Sequence, residues 1–353
     1  MDADLLFLRV QAFPRCLPML SVMHKTMPET RDGKKRVTHL AAYHQLRPTP
    51  NGDLRNTGLT VLPLLDKPVE LTDLLLDSNH LTALPATLSE FVNLTTLSVY
   101  NNGLTSLPDA LWQLTRLQVL NLSANRLTAL PAALGQLTQI QMLDVGHNAL
   151  TTLPAALGEL YELRFLYLSN NQLSALPATL AKLHNLHYLN FTDNAMLDFP
   201  AWIGQLRELS ELRAYNNGFT ALPVAVGKLT RLQELHLQHN QLVTLPESIG
   251  ELTALKTLIL QDNRLATLPD TLGKLATLTE LNLRNNALTE LPNTLGHLTN
   301  LRTLDLRGNR LVTLPAGIGA LPRLEKLDLR WNRFTMLPPW LDQLVERGCV
   351  VYG

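Results

Sequence analysis

The sequence predicts an α/β solenoid, a curved horseshoe with a parallel β-sheet on its concave face and short helical or 3₁₀ segments on its convex face. Three observations predict this fold. A pattern of 23 residues recurs twelve times between residues 71 and 346 without an insertion, its apolar residues alternate as in a strand, and one asparagine and one proline recur at fixed positions. A single unit of this length cannot bury its apolar face alone, so stacked units must build the core.

The strand lies near the start of each repeat. With the residues of a repeat numbered 1 to 23, apolar residues recur at positions 1, 4, 6, 11, 14, 18 and 21, as in residues 117–139. Side chains alternate between the two faces of a strand, so positions 4 and 6 point into the core and positions 3, 5 and 7 point outward. Strands of successive repeats then pair about 4.8 Å apart in one sheet.

Position 9 is asparagine in all twelve repeats. Its amide carries two donors and an acceptor, which suits it to bond the backbone of neighbouring turns where the chain leaves the sheet. We therefore predict a structural ladder of asparagines: Asn79, Asn102, Asn125, Asn148, Asn171, Asn194, Asn217, Asn240, Asn263, Asn286, Asn309 and Asn332.

Position 15 is proline in every repeat, and position 19 is usually glycine. Proline fixes φ and removes a donor that a compact bend would leave unpaired. Only one or two turns of helix fit between this proline and the next repeat, which predicts short helical or 3₁₀ segments on the outer wall.

The pattern LxxLxLxxNxLxxLPxxLgxLxx resembles the leucine-rich repeat consensus in its 23-residue form. It is similar to the class found in bacterial repeat proteins and in the Ras-group repeat proteins of plants and animals. The resemblance covers residues 71–346. It implies protein binding on the concave face and does not identify the bound protein. We expect a bacterial scaffold protein with roles such as signalling.

The flanks predict caps. Residues 1–50 form a partly disordered leader, and residues 51–70 form a degenerate N-terminal cap repeat in which LTVLP, residues 59–63, matches positions 11 to 15. At the other end, residues 339–347 predict a short amphipathic helix stopped by Gly348. Residues 347–353 then predict a cap strand, with Val350 and Tyr352 at positions 4 and 6 of a thirteenth repeat.

Composition and charge indicate which kinds of partner and which cellular compartment to expect. Lys plus Arg and Asp plus Glu number 30 each, so the net charge favours neither nucleic acid nor an anionic membrane. The apolar run at residues 5–10 suits neither a signal peptide nor a membrane span. The cysteines, Cys16 and Cys349, lie at opposite ends of the array and favour a reducing compartment. We expect a cytoplasmic monomer that binds a protein or peptide, or alternatively a protein secreted without a cleaved signal peptide.

Outward positions alone are free to select a partner. Position 3 is apolar or aromatic in four consecutive repeats, Tyr167 and Tyr215 occupy positions 5 and 7 nearby, and Glu211, Glu234 and His236 border them. This composition is typical of an interface hot spot. Alternatively, stacked rings only stabilise neighbouring strands. The predicted partner-binding residues here are Val119, Met142, Phe165, Tyr167, Tyr188, Tyr215 and His236.

A second candidate surface lies near the C-terminal end of the array. Position 7 is arginine in three successive repeats, at Arg284, Arg307 and Arg330, with Trp331 adjacent. These groups suit an acidic segment of a partner. The alternative, which we favour, is that the aspartates at position 5, Asp305 and Asp328, pair with the arginines across strands.

Catalytic and metal-binding patterns are not apparent in the sequence. Histidines such as His147, His184, His236, His239 and His297 fall at unrelated positions and form no column of metal ligands. The chain has neither a GxxxxGK phosphate loop nor a GxSxG elbow. We therefore expect a non-enzymatic module with no cofactor or metal. The alternatives are an exported bacterial effector that uses the same surface on a host protein, and an enzyme with an unrecognised site.

Overall fold

The computed structural model describes residues 52–65 and 67–353 of the chain. Within them, thirteen parallel strands form one sheet in which the strands follow chain order. The predicted solenoid of parallel strands and short 3₁₀ turns is confirmed. The predicted leader, residues 1–50 with Cys16, lies outside the described residues. No helix in the described part of the chain is both long enough and apolar enough to cross a membrane.

Each of the first twelve strands occupies positions 3 to 5 of its repeat. In-register pairing places the same position of successive repeats side by side, as Met142, Phe165 and Tyr188 show. The strands are β1 (Asp73–Leu75), β2 (Thr96–Ser98), β3 (Val119–Asn121), β4 (Met142–Asp144), β5 (Phe165–Tyr167), β6 (Tyr188–Asn190), β7 (Glu211–Arg213), β8 (Glu234–His236), β9 (Thr257–Ile259), β10 (Glu280–Asn282), β11 (Thr303–Asp305), β12 (Lys326–Asp328) and β13 (Val350–Tyr352).

The opposite wall consists of 3₁₀ helices. Ten of those described have five residues and begin directly after the proline at position 15, whose extended backbone sets their start. They are Ala86–Glu90, Asp109–Gln113, Ala132–Gln136, Ala155–Glu159, Ala178–Lys182, Val224–Lys228, Glu247–Glu251, Asp270–Lys274, Asn293–His297 and Ala316–Ala320. Two shorter ones are Pro68–Glu70 and Ile203–Gln205.

The core between the two walls is a continuous column of leucines with one aromatic cluster. Phe191, Phe199 and Phe219 occupy positions 6, 14 and 11 of neighbouring repeats, and their ring centroids lie 4.9 to 6.1 Å apart in edge-on arrangements. In the same repeat, the 3₁₀ helix Ile203–Gln205 begins three residues after Pro200 rather than directly after it. The wall is therefore irregular beside the phenylalanine cluster of the core.

The position 9 asparagines satisfy backbone groups of two repeats at once. Asn171 donates through Nδ2 to the carbonyls of Val145 and Leu168, at 3.0 and 3.1 Å, and its Oδ1 accepts from the Leu150 amide at 3.0 Å. The same three bonds recur at all twelve asparagines. Each side chain therefore joins neighbouring turns where the strand ends.

Position 8 adopts the left-handed backbone conformation in every repeat. Its φ lies between 50° and 60° at eleven non-glycine residues and is 65° at Gly308. Asparagine, aspartate and histidine tolerate this conformation better than most side chains, and they fill most of the column. The residues are Ser78, Asn101, Ala124, His147, Asn170, Asp193, Asn216, His239, Asp262, Asn285 and Trp331.

The N-terminal cap is an abbreviated repeat. Asp53 pairs with Leu75 on β1, and both Leu54 and Leu59 are buried in the core. Thr57 stands where the other repeats have asparagine, and its hydroxyl donates to the Leu54 carbonyl at 2.7 Å. This turn covers the apolar end of the first full repeat.

At the C-terminal end, one α-helix, α1 (Trp340–Glu346), replaces the 3₁₀ helix, and Gly348 follows it with φ 88°. Strand β13 follows, but its predicted register is wrong by one residue. Val351 rather than Val350 pairs with Leu327 at the core-facing position. The cause is that the α-helical turn uses one more residue than a 3₁₀ turn, so Val350 and Tyr352 lie on the outward face.

Candidate partner-binding surface on the sheet

The outward face of the sheet, here called the sheet face, consists of the side chains at positions 3, 5 and 7. Its centre carries Met142, Phe165 and Tyr188 side by side on β4, β5 and β6. All three are half-buried. Together with Tyr167 they form the surface that we call the aromatic patch.

Val119 does not belong to this surface. It is only 5% exposed, so it offers little surface for the partner contact that the sequence predicts. A valine side chain is short, and the longer side chain of Met142 stands beside it in register on β4. The apolar part of the sheet face therefore spans three strands rather than four.

Tyr167 and Tyr188 form a ring pair. Their centroids lie 4.7 Å apart with the planes tilted by 35°. Burial raises the pKa of both phenols well above the usual value, so both stay neutral at physiological pH. The Arg213 guanidinium lies 6.0 Å from the Tyr188 ring centroid, within the range of a cation–π contact. These contacts restrict the two rings.

Asp144 is a titratable residue next to the aromatic patch. It lies on β4 and pairs in register with Tyr167 on β5. Burial raises the pKa of its carboxyl group to about 6, although hydrogen bonds from the Gly146 amide and the Ser123 side chain oppose the shift. The Gly146 bond is 2.9 Å long. No feature of the sequence pattern indicated this residue.

Beyond the aromatic patch, charged groups cover β7 and β8. Arg213 donates Nε to Glu211 Oε1 at 2.5 Å, and His236 Nε2 lies 3.1 Å from Glu234 Oε2. One ligand atom from each of Glu211, Glu234 and His236 lies within 4.8 Å of the other two. The sequence places these three residues at the border of the aromatic side chains, but a column of histidines, the pattern expected of a metal site, is absent here because the donors are of two kinds.

Tyr215 lies apart from the ring pair. It occupies position 7, just beyond β7, where it is half-buried. Burial lowers the pKa of Arg213, but Tyr188, Glu211 and, to a smaller extent, Tyr215 raise it above its ordinary value. The Tyr215 phenol therefore belongs to the charged side of the aromatic patch rather than to its apolar centre.

The arginine end is held by ion pairs. Arg307 bonds Asp305 at 2.6 Å within its own repeat and contacts Asp328 of the next repeat at 3.2 Å, and Arg330 bonds Asp328 at 2.7 Å. The expected pairing of arginine with aspartate therefore forms. Only the contact of Arg307 with Asp328 joins two repeats, and each of the other two contacts lies within a single repeat. Arg307 and Arg330 are therefore paired with aspartates within the protein.

Two residues at this end differ from that network. Arg284 has no aspartate partner at position 5 of its repeat, which holds Asn282, and its Nε is buried without a hydrogen bond. Trp331 is 68% exposed, and the Arg330 guanidinium lies 5.7 Å from its ring centroid and 4.9 Å from that of Tyr352. An exposed tryptophan beside arginine remains the part of this end best suited to contact a partner.

Family models identify the chain. The model described as leucine rich repeat matches residues 69–127, 115–173, 253–311 and 276–334, and a leucine-rich repeat region model matches residues 146–241. A third repeat model matches residues 231–252. The chain belongs to the leucine-rich repeat family. A sequence comparison with functionally curated proteins finds no match.

Solved structures agree on the fold. A leucine-rich repeat protein of Leptospira interrogans is 29% identical over 91% of this chain and 100% of that one, with a TM-score of 0.61. The ectodomain of the Arabidopsis thaliana receptor kinase GASSHO1, solved in complex with CASPARIAN STRIP INTEGRITY FACTOR 2, is 34% identical over 76% of this chain and 36% of that one, with a TM-score of 0.63.

A third relative is the Arabidopsis receptor kinase HAESA, solved in complex with the peptide hormone IDA and the co-receptor SERK1. It is 28% identical over 75% of this chain and 55% of that one, with a TM-score of 0.59. This chain therefore spans about a third and about half of the two receptor chains. The similarity lies in the repeat array.

Proposed function

We propose that this chain is a non-enzymatic binding module that holds a protein or peptide on its sheet face, against the aromatic patch of Met142, Phe165, Tyr167 and Tyr188. The observation that carries the proposal is the in-register placement of Met142, Phe165 and Tyr188 on consecutive strands, where all three are half-buried and Tyr188 forms a tilted ring pair with Tyr167. Core packing does not require large apolar groups on this face, because the core lies on the other side of the sheet.

The patch has the physical properties of a binding anchor. Aromatic side chains bring large contact area at low cost in conformational entropy, and rings that are already held in place lose little further freedom on binding. The tyrosine hydroxyls are neutral and can exchange hydrogen bonds with a partner. The charged groups of Glu211, Arg213 and Glu234 border the patch on one side, which is the arrangement of an apolar centre with a polar rim.

The relatives support a protein or peptide as the ligand. The GASSHO1 and HAESA structures contain their named peptide or protein partners, and both align with this chain through the repeat array. A bacterial source, a cytoplasmic location and a monomeric state remain predictions from the sequence, as does the alternative of an exported effector acting on a host protein.

Affinity capture with a pair of variants tests the proposal. The double variant Phe165→Arg, Tyr188→Arg places two charges in the aromatic patch, and we expect it to lose partners that wild type captures from a lysate of the source organism. The matched control is Thr257→Arg, Thr303→Arg, which changes the same outward position on β9 and β11. Mass spectrometry identifies the captured proteins, and circular dichroism verifies the fold of each variant.

Comparison of the patch variant with the control variant shows whether the partner binds at the aromatic patch. Partners lost by the patch variant and kept by the control support the proposal. Equal capture by wild type and the patch variant, or equal loss in both variants, would contradict a site at the aromatic patch.

A further inference from the structure

Three side chains on β7 and β8 form a compact group of metal donors. Glu211 and Glu234 pair in register on the two strands, and His236 lies two residues beyond Glu234 on the same face. One ligand atom of each lies within 4.8 Å of the other two. We propose that Glu211, Glu234 and His236 bind a divalent first-row transition metal ion such as Zn²⁺.

The distances suit a tetrahedral ion after small side-chain rotations. Bonds of about 2.0 to 2.2 Å to a tetrahedral ion separate neighbouring donor atoms by about 3.3 to 3.6 Å. The His236 Nε2 to Glu234 Oε2 distance is already 3.1 Å. Glutamate side chains have three rotatable bonds, so the carboxylate of Glu211 can close the remaining separation without a change in the strand.

The donor types select the class of metal. An imidazole nitrogen with carboxylate oxygens suits Zn²⁺ and its first-row neighbours, whereas Mg²⁺ and Ca²⁺ prefer oxygen ligands alone. Three protein donors leave at least one coordination position for water or for a group of a partner.

Burial and charge also favour a cation at this place. The side chains of His236, Glu211 and Glu234 are 17%, 24% and 45% exposed, so the group is recessed but open to solvent. The in-register glutamates repel each other, and a dication between them would remove that repulsion. Arg213 bonds Oε1 of Glu211 and partly offsets its charge, so a metal would bind Glu211 through the second carboxylate oxygen.

Zinc titration of the full chain tests the inference. Tag-free protein is treated with a chelator, dialysed and titrated with Zn²⁺ by calorimetry, and Co²⁺ absorption reports a site with nitrogen and oxygen donors. We expect one Zn²⁺ per chain in wild type. His236→Gln and Glu234→Gln each remove one donor, and we expect at least about tenfold weaker binding in either.

Two control variants separate this site from adventitious binding. Glu280→Gln removes a glutamate at the same position of β10, where the in-register neighbours are Thr257 and Thr303. His239→Gln removes an exposed histidine that lies 3.6 Å from Asp262. We expect wild-type affinity in both controls.

Failure of wild type to bind Zn²⁺ near one equivalent would overturn the inference, as would equal losses in the controls and the donor variants. If His236→Gln fails to fold by circular dichroism, Glu234→Gln and Glu211→Gln provide the same test. The inference does not depend on the proposed partner: capture can be lost in the aromatic-patch variant while Zn²⁺ binding is retained, and the reverse can also occur.

Discussion

The raised pKa of Asp144 makes the stability of the fold depend on pH. Its in-register neighbours are Asn121 on β3 and Tyr167 on β5, and burial raises its pKa to about 6 from an ordinary value of 3.8. A raised pKa means that the folded state favours the neutral acid. The resulting contribution to stability is complete below about pH 4 and is lost as the pH rises through about 6.

Asp144→Asn should therefore change the pH dependence of stability. The amide keeps an acceptor for the Gly146 amide proton but cannot ionise. We expect the variant to gain stability relative to wild type between pH 4 and pH 7, by about 1 to 3 kcal/mol. Urea unfolding followed by circular dichroism measures the difference, and pH 4 is the internal control, where the two proteins should differ least. A difference that is constant with pH would contradict the assignment.

The sequence predicts the roles of some individual residues and not of others. The asparagine bonds follow from one residue type at one position. The left-handed position 8 was missed, although its run of asparagine, aspartate and histidine was a usable signal. The burial of Val119 depends on its neighbour Met142 across the strands, and the proximity of Glu211 to His236 depends on side-chain rotamers. A periodic pattern specifies neither of these.

At the scale of elements, the close contact of successive 3₁₀ helices explains the glycines at position 19. A Cβ on Gly250 would lie 2.3 Å from the Thr271 carbonyl oxygen in the next helix, and one on Gly273 would lie 2.3 Å from that of Thr294. Backbone at this separation has no room for a methyl group. At these two contacts the spacing of the outer wall depends on glycine, although Ser89, Trp112 and Ala181 occupy position 19 in other repeats.

Gly250→Ala should destabilise the array. Because the clash involves backbone rather than a flexible side chain, the helices must separate, and we expect a loss of about 1 to 3 kcal/mol. The matched control is Gly103→Ala. Its added Cβ would lie 3.3 Å from the Leu81 carbonyl oxygen, and alanine already occupies the same position at Ala149.

We expect Gly103→Ala to unfold within about 0.5 kcal/mol of wild type. Chemical unfolding of the three proteins measures both values. Equal effects of the two substitutions would show that helix spacing does not limit stability at Gly250.

The strands and 3₁₀ helices inside the array could be predicted from the sequence, whereas the register of the two terminal caps could not. Strands, prolines and 3₁₀ turns repeat every 23 residues because each repeat rests on an identical neighbour. At the caps that condition fails. Asp53 pairs with Leu75 at a spacing of 22 residues, and Lys326 pairs with Val350 at a spacing of 24. The short N-terminal turn and the α1 turn change the count, so extending the period misplaced the register of β13.

Over the whole described array, the sheet face divides into three regions that lie on successive groups of strands. The aromatic patch lies on β4 to β6, the glutamate and histidine group lies on β7 and β8, and the arginine and aspartate network lies at and beyond β11 and β12. The last region is internally paired. A partner that uses this face should therefore meet the first region most closely.

Photo-crosslinking tests this central claim most directly. Replacing Phe165 with p-benzoylphenylalanine keeps an aromatic side chain in the patch and places a reactive group at its centre, while the same replacement at Thr257 on β9 and at Lys182 in the 3₁₀ helix Ala178–Lys182 provides controls. We expect irradiation in lysate to join residue 165 to a partner, with at least several-fold lower yield at residues 182 and 257. Crosslinks that form mainly from residue 182 would place the partner on the outer wall and contradict a binding site on the sheet.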